Sequence, residues 1–486
     1  MKTYIFKTLL LLSAVLFISC DDFLSEPPEK KSNLEIKSVE AVDMLLNHYN
    51  LVFDRSREVV LASDSYGLYK DYYLARPSLF DDQLQYILWY PELCALQSYY
   101  WEQEFQKIAY ANTVLSAIDD LQGSEAEKKR IVEDAHFLRA YEFFNLTTLY
   151  CLPYSEENKS SLGMPLKQTL AYDEDVIRKS LEETMKFIED DMKIALETTQ
   201  TRDINKLFRL SLPAAQAFAA RFYLYLHDYD KAEQYANVAL TSHSQMVNYQ
   251  TYFSPKMRNY FIGGGTYYAP NAAADYKFGE TYYARNLYNH TYNAVPSEKL
   301  MNLYDKANDY RYDAFFVENY SYSRASVSGW SAYQQFGSIG ILQGPTTAEM
   351  YLIRAECRAR KNDTQGAVSD LNTVRSCRYK SGKYTNLTAA DFPDKKSLVQ
   401  FIVDERQREF PFTLRWYDIK RINSDSQNIV DKITITREFF DFNGVATDVN
   451  KTKTYTLAPG DKRFAWPIPI IDIELTKGRL VQNPYD

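Results

Sequence analysis

Eight segments of the sequence repeat apolar residues at the 3.6-residue spacing of an amphipathic helix, and most of them are paired across short turns. Such spacing commits a chain to helices that bury one face against a neighbour. We therefore predict a mainly α fold with only a few short strands. The segments are residues 98–121, 126–150, 176–196, 207–226, 229–240, 346–360, 365–378 and 397–410.

The pair spanning residues 214–240 is the clearest of these helix pairs. Small alanines at positions 215, 219, 232 and 236 allow two helices to approach closely around large Tyr and Leu side chains. The pattern resembles a tetratricopeptide unit. A second pair starts at Ala348, and segments 98–121 and 126–150 form a plausible third. Because the units are not in tandem, we expect tetratricopeptide-like pairs separated by insertions.

Two of these insertions, at about residues 54–95 and 248–337, are rich in aromatic residues. Residues 248–337 hold 16 of the 41 tyrosines, together with Trp330 and a run of three glycines at 263–265. Weak periodicity predicts loops with a few short strands, and so many rings argue against disorder. Tyrosine joins a flat apolar ring to a polar tip, which suits contacts with sugars or peptides.

The first 19 residues are predicted to be an export signal. Lys2 and Lys7 precede an apolar run that is too short to span a bilayer, and Ile18-Ser19-Cys20 resembles a lipobox in which Cys20 becomes acylated. Residues 20–33 then form a polar, acylated tether, and residues 34–486 a single domain. Multiple acyl chains are enough for stable membrane attachment.

Charge and cysteine content exclude several classes of protein. The net charge of −8 argues against a nucleic-acid binder, which needs a basic face. The five cysteines are unclustered and have no CxxC pair, so neither a disulfide framework nor a zinc site is expected. Helix geometry places Cys357 and Cys377 too far apart for a disulfide, and we predict that both are core thiols.

The search for catalytic chemistry gives no convincing motif. The five histidines lack metal-ligand spacing, the glycines at 263–265 are not followed by the Gly-Lys-Ser/Thr of a P-loop, and no GxSxG elbow occurs. Glu405 and Glu409 are one helical turn apart, but Arg406 and Arg408 beside them favour ion pairing over acid catalysis. We therefore predict no catalytic residue, no metal and no cofactor.

Read in order, several motifs resemble the SusD/RagB family of outer-membrane lipoproteins over nearly the whole chain. The C-terminal motifs are the most specific. The motifs are Cys20-Asp21-Asp22, Trp101 with Ile108, Ala111 and Asn112, Phe137-Leu138-Arg139-Ala140, Asp309 with Arg311, Ala348-Glu349, DERQREFPFTLRWYDIKR at 404–421, Trp466-Pro467-Ile468-Pro469 and Gln482-Asn483-Pro484.

The resemblance implies capture rather than conversion. Members of this family cap a SusC-like TonB-dependent transporter on the extracellular side of the outer membrane and bind an oligosaccharide or a peptide. We expect the same here, with a glycan favoured over a peptide and no nucleic-acid partner. Two alternatives remain open: an extracellular glycan-active hydrolase, and a tetratricopeptide scaffold that binds only proteins.

The family's ligand contacts lie in variable loops, so no motif identifies them. The candidates are eight rings from the two aromatic insertions. Trp330 is the first choice, because it has small neighbours and no apolar stripe around it. The full set of predicted ligand-binding residues is Trp330, Trp89, Tyr69, Tyr72, Tyr267, Tyr268, Tyr288 and Tyr333.

Overall fold

The computed structural model describes residues 38–54, 58–96, 98–171, 174, 176–253, 277–287, 294–317, 332–333 and 341–485. The predicted signal, Cys20 and the tether lie outside these residues. Within the described ranges, no helix combines the length and the apolar character needed to cross a bilayer.

Helices dominate the described residues, as the sequence predicts. They are α1 (Val39–Leu45), α2 (Glu58–Ala62), α3 (Lys70–Ala75), α4 (Leu84–Ile87), α5 (Pro91–Cys94), α6 (Tyr99–Ala117), α7 (Glu125–Tyr150), α8 (Leu181–Ala195), α9 (Leu212–Tyr225), α10 (Tyr229–Ser242), α11 (Tyr249–Tyr252), α12 (Glu298–Met301), α13 (Tyr310–Phe315), α14 (Thr347–Arg360), α15 (Thr364–Ser376), α16 (Lys395–Glu409), α17 (Arg415–Ser424) and α18 (Ile470–Leu475).

The strands are short, apart from one hairpin. The strands are β1 (Phe53–Asp54), β2 (Leu162–Pro165), β3 (Arg178–Ser180), β4 (Asn286–Leu287), β5 (Phe316–Val317), β6 (Ala332–Tyr333), β7 (Ile341–Leu342), β8 (Ile435–Phe442) and β9 (Thr447–Leu457). A mixed three-stranded sheet has the order β1-β4-β7, and three two-stranded sheets pair β2 with β3, β5 with β6 and β8 with β9.

The three predicted helix pairs form the scaffold. α6 packs on α7, α9 on α10 and α14 on α15. The alanines predicted to line the contact between α9 and α10 are fully buried. Helix α10 also packs against α14, and Arg354 on α14 donates to Asn237 on α10 at 2.9 Å. Two pairs separated in sequence by the long insertion are therefore neighbours in space.

Two predicted helix starts are wrong by several residues, and each has a local cause. The segment predicted from residue 176 begins with strand β3, and α8 starts only at Leu181, because Ser180 and Glu183 form a capping box. The segment predicted from residue 207 becomes helical at Leu212. There the Ser211 hydroxyl accepts from the backbone N–H of Ala214, and Pro213 occupies the first turn.

The cysteine prediction is confirmed in its main point. The four described cysteines, at 94, 151, 357 and 377, are free thiols. Cys357 on α14 is fully buried, whereas Cys377, which directly follows α15, is only half-buried. Cys357 is thus a core thiol as predicted, and Cys377 lies at the margin of the core.

Candidate functional site

The two aromatic insertions meet in the folded chain. Strand β1 at the start of the first insertion pairs in parallel with β4 of the second, with Phe53 opposite Asn286. Tyr66 bridges to Pro296, and the Gly67 N–H donates to the Val295 carbonyl at 2.8 Å. A Cβ at position 67 would lie 2.7 Å from the Pro296 carbonyl oxygen, so this close approach requires glycine.

This junction carries the predicted pair Tyr69 and Tyr72 at the start of α3. Their ring centroids are 4.8 Å apart with an interplanar angle of 49°, and both side chains are half-buried. The Tyr69 hydroxyl donates to the Pro296 carbonyl at 2.9 Å. Burial raises the pKa of Tyr69, so its hydroxyl remains a neutral donor. The pair combines apolar ring surface with a polar edge.

Charged groups surround the tyrosine pair. Lys70 reaches the hairpin, where its ammonium donates to Glu438 at 3.0 Å and to Thr452 at 2.9 Å. Lys299 is 60% exposed and pairs with Asp64 at 3.0 Å. The pKa of Asp64 is lowered overall. Burial alone would raise this pKa, but the positive charges and hydrogen bonds of Arg415 and Lys299 have the larger effect. The surface near the rings therefore offers ionised groups that could take ligand hydroxyls.

Trp89 and Tyr333 lie in the core. Trp89 is 4% exposed, its indole N–H donates to the Ala62 carbonyl at 3.1 Å, and the Arg437 guanidinium lies over its ring at 5.2 Å. Tyr333 is fully buried and packs against Phe412 at 5.2 Å between ring centroids. Neither ring offers a face to a ligand, so we leave both out of the site proposed below.

The other four predicted residues, Trp330, Tyr267, Tyr268 and Tyr288, lie outside the described residues. Described residues that flank Trp330 and Tyr288 converge on the junction. The Tyr333 N–H donates to the Ala294 carbonyl at 2.8 Å, β5 pairs with β6, and β7 pairs with β4. Trp330 and Tyr288 are therefore close in sequence to residues that contact one another.

A buried ion network fastens the second insertion to the scaffold, and it includes Glu405 and Glu409, for which the sequence predicts ion pairing. Glu409 on α16 pairs with Arg378 at 2.7 Å and with Arg311 on α13 at 2.9 Å, and Arg378 also pairs with Glu280 at 2.8 Å. Burial would raise the pKa of Glu405, but Arg311, Arg408 and Arg375 hold it well below its usual range. These carboxylates are buried ion-pair partners rather than accessible acids.

A concave surface near the C-terminal end of the chain was not predicted from the sequence. This surface, the C-terminal groove, has a volume of about 650 Å³. Leu96 and Ile471 on its lining are 65% and 53% exposed, and the neighbouring Leu475 is 69% exposed. Monomeric proteins rarely expose apolar side chains together in this way unless something binds there. Its lining residues include Leu96, Trp101, Phe105, Val176, Ile471 and Leu480.

Known proteins with the same architecture are numerous. A SusD superfamily protein from Bacteroides thetaiotaomicron VPI-5482 is 18% identical, with a TM-score of 0.65 over 92% of this chain and 100% of the other. A SusD-like carbohydrate binding protein from Bacteroides vulgatus ATCC 8482 is 17% identical, with a TM-score of 0.59 over 91% and 97%. A laminarin binding SusD-like protein is 15% identical, with a TM-score of 0.60 over 92% and 99%.

Comparison with curated protein sequences gives no significant match. Family comparison, in contrast, accounts for almost all of the described chain. Residues 22–224 match the family described as "Starch-binding associating with outer membrane", and residues 227–485 match the family described as "SusD family". The solved structures share this fold along nearly their whole length. On this evidence the chain belongs to the SusD family.

Proposed function

We propose that this chain is a cell-surface lipoprotein that captures an oligosaccharide and passes it to a TonB-dependent outer-membrane transporter without altering it. A peptide is the second ligand class. The observation that carries the proposal is the junction of the two aromatic insertions on a scaffold of the SusD family. There, Tyr69 and Tyr72 present ring surface beside ionised groups.

Sugar chemistry favours a glycan at this junction. The faces of pyranose rings carry C–H groups that stack on aromatic rings, while hydroxyls need polar partners nearby, and binding sites generally combine apolar surface with a few placed polar groups. Two related structures are named as carbohydrate binding and laminarin binding. We place Tyr69, Tyr72, Trp330, Tyr267, Tyr268 and Tyr288 in the proposed ligand site.

Attachment through acylated Cys20 would hold the protein on the outer membrane, facing outward. Residues 20–33 are polar and include Pro27-Pro28, as expected of an extended tether. Such a tether lets the domain move relative to the membrane while remaining near its transporter. The proposed role is therefore a lid that closes over a transporter with its ligand held beneath.

Calorimetry with a panel of glycans, including laminarin oligosaccharides, and of peptides tests ligand binding directly. Trp330→Ala is expected to weaken glycan binding at least tenfold, about 1.4 kcal/mol, because it removes the largest predicted stacking surface. Tyr69→Ala and Tyr72→Ala should each weaken binding with little change in melting temperature, since both rings are partly exposed.

Tyr235→Ala is the matched control for the tyrosine variants. Tyr235 is also half-buried and also forms a ring pair, stacking on Tyr223 at 5.5 Å, but it lies on the scaffold helix α10. Its replacement should leave affinity unchanged. If the junction variants bind like wild type, or if no glycan or peptide binds at all, the ligand site is misplaced or the capture role is wrong.

The transporter contact is proposed to include the C-terminal groove. Its exposed side chains are aliphatic rather than aromatic, which suits a protein surface better than a sugar. Ile471→Glu and Leu475→Glu should reduce co-purification of a barrel protein from native membranes while leaving glycan binding intact. Val445→Glu is the control, because Val445 is 92% exposed on the turn between β8 and β9. Undiminished co-purification with both groove variants would exclude this surface.

A further inference from the structure

A cluster of buried charges lies where the first insertion, the second insertion and the α6–α7 pair meet. It consists of Asp54 on β1, Glu104 and Lys107 on α6, Glu142 on α7 and Arg285 immediately before β4. We call it the Asp54 cluster. All five residues are at most 2% exposed. Ionised groups removed from water at this depth need compensation by charge and by hydrogen bonds.

Two cations compensate part of the cluster. The Lys107 ammonium donates to Asp54 Oδ1 and, at 3.0 Å, to Glu104 Oε1. The Arg285 guanidinium donates to Glu142 Oε1 at 3.0 Å, and the Asn145 amide donates to Glu142 Oε2 at 3.2 Å. With all groups ionised, three carboxylates face two cations. One negative charge therefore remains.

Two carboxylate oxygens in the cluster have no hydrogen-bond partner among the described residues. They are Asp54 Oδ2 and Glu104 Oε2, and both are buried. Carboxylate oxygens of Asp54, Glu104 and Glu142, one from each, lie within 4.8 Å of one another. Buried polar atoms without a partner are rare, and each one destabilises the folded state.

A shared proton would solve only half of this problem. Burial and the neighbouring charge of Glu142 raise the pKa of Glu104 well above its usual range, so a Glu104 carboxyl could donate to Glu142. That arrangement removes the excess charge and satisfies Glu104. It leaves Asp54 Oδ2 without a partner, whereas a cation between the carboxylates contacts Asp54 and Glu104 together.

We propose that the Asp54 cluster binds one monovalent cation of the sodium type between Asp54, Glu104 and Glu142. The donor atoms are all carboxylate oxygens, which select hard cations over soft ones. A single positive charge makes the cluster neutral. A divalent ion would leave an excess positive charge beside Lys107 and Arg285, which is unfavourable in a buried site.

The bound cation would join both insertions to the scaffold. Asp54 begins the first insertion, and Arg285 holds Glu142 from the second, while Glu104 and Glu142 belong to the two scaffold helices. An ion that binds the folded chain and not the unfolded one stabilises the fold in proportion to the logarithm of its concentration above Kd. Sodium should therefore stabilise the region that positions Tyr69 and Tyr72.

Thermal unfolding in sodium chloride and in choline chloride at equal ionic strength tests the proposal. The melting temperature of the wild-type protein should be higher in sodium, and the difference should keep growing with the logarithm of the sodium concentration once that concentration exceeds Kd. Asp54→Asn and Glu104→Gln should each abolish the sodium-specific difference. Because the readout is a difference between two salts for the same variant, it remains valid for variants with lowered stability.

Glu356→Gln is the matched control. Glu356 is also a fully buried carboxylate, paired with Arg421 at 2.8 Å and Arg360 at 2.9 Å. Its replacement should lower the melting temperature and keep the sodium-specific difference. Crystals of the wild-type protein grown in sodium chloride should show electron density for one ion between Asp54 and Glu104.

Equal wild-type melting temperatures in the two salts would overturn the proposal, and a shared proton would then be the better account. A sodium effect that survives in Asp54→Asn would place the ion elsewhere. Stabilisation by calcium at lower concentrations than sodium would overturn the monovalent assignment.

Discussion

At the scale of single residues, Lys420 is a buried cation that donates to backbone carbonyl oxygens. It is fully buried, and its ammonium donates to the carbonyl oxygens of Thr148 at 2.7 Å and Cys151 at 2.5 Å, at the end of α7. Burial lowers the pKa of Lys420 from 10.5 to about 7. The unfolded chain therefore binds a proton that the folded chain releases between these two pH values.

The sign of the resulting pH dependence follows from this difference. Above pH 7 the unfolded state binds more protons than the folded state, so the free energy of unfolding rises with pH. Below pH 7 Lys420 is protonated in both states, and the cost of burying its charge lowers the free energy of unfolding by its full amount. Relative to Lys420→Met, the wild-type protein should gain stability between pH 7 and 9.5, by up to about 1.4 kcal/mol per pH unit. Urea unfolding of both proteins across this range measures it, and parallel curves would show that Lys420 stays charged.

At the scale of secondary structure, Arg378 connects elements from three parts of the chain. It follows α15, pairs with Glu409 on α16 and Glu280 in the second insertion, and lies over the Tyr249 ring at 3.6 Å. Arg378→Met should lower the free energy of unfolding by about 3–5 kcal/mol, because the buried carboxylates of Glu280 and Glu409 would lose a positively charged partner. Urea unfolding followed by circular dichroism gives this value.

A double variant separates lost pairing from lost packing at Arg378. Adding Glu280→Gln to Arg378→Met removes one of the carboxylates left unpaired, so the double variant should be more stable than the sum of the two single effects predicts. Simple additivity would indicate that Arg378 acts mainly by packing, and that the network does not fasten the second insertion through charge.

Individual helices and strands differ in how clearly the sequence predicts them. Helices α9 and α10 were predictable because their alanines and large apolar residues recur at helical spacing. Helix α17 was not, because Arg415, Asp418 and Arg421 are buried by ion pairing and disguise the apolar face. The β8–β9 hairpin has a signal in the sequence, because Asn443-Gly444 is a dipeptide common in hairpin turns, and Gly444 has φ +95°.

At the scale of the whole molecule, the sequence predicted the architecture and the family, but it could not show which of the candidate rings the fold buries. Periodicity finds helices because burial of one face is local, whereas the meeting of residues 66–67 with residues 295–296 depends on how two distant insertions pack. Trp89 illustrates the limit. It reads as an exposed ring in an aromatic loop, yet the Ala62 carbonyl and Arg437 hold it in the core.

The central claim is that the protein holds a nutrient molecule without changing it. Native mass spectrometry of the purified chain, incubated with the oligosaccharide panel, tests this most directly. We expect a protein–oligosaccharide complex whose released ligand has its original mass after prolonged incubation. Release of shortened oligosaccharides would contradict the account, because it would make the protein an enzyme rather than a receptor.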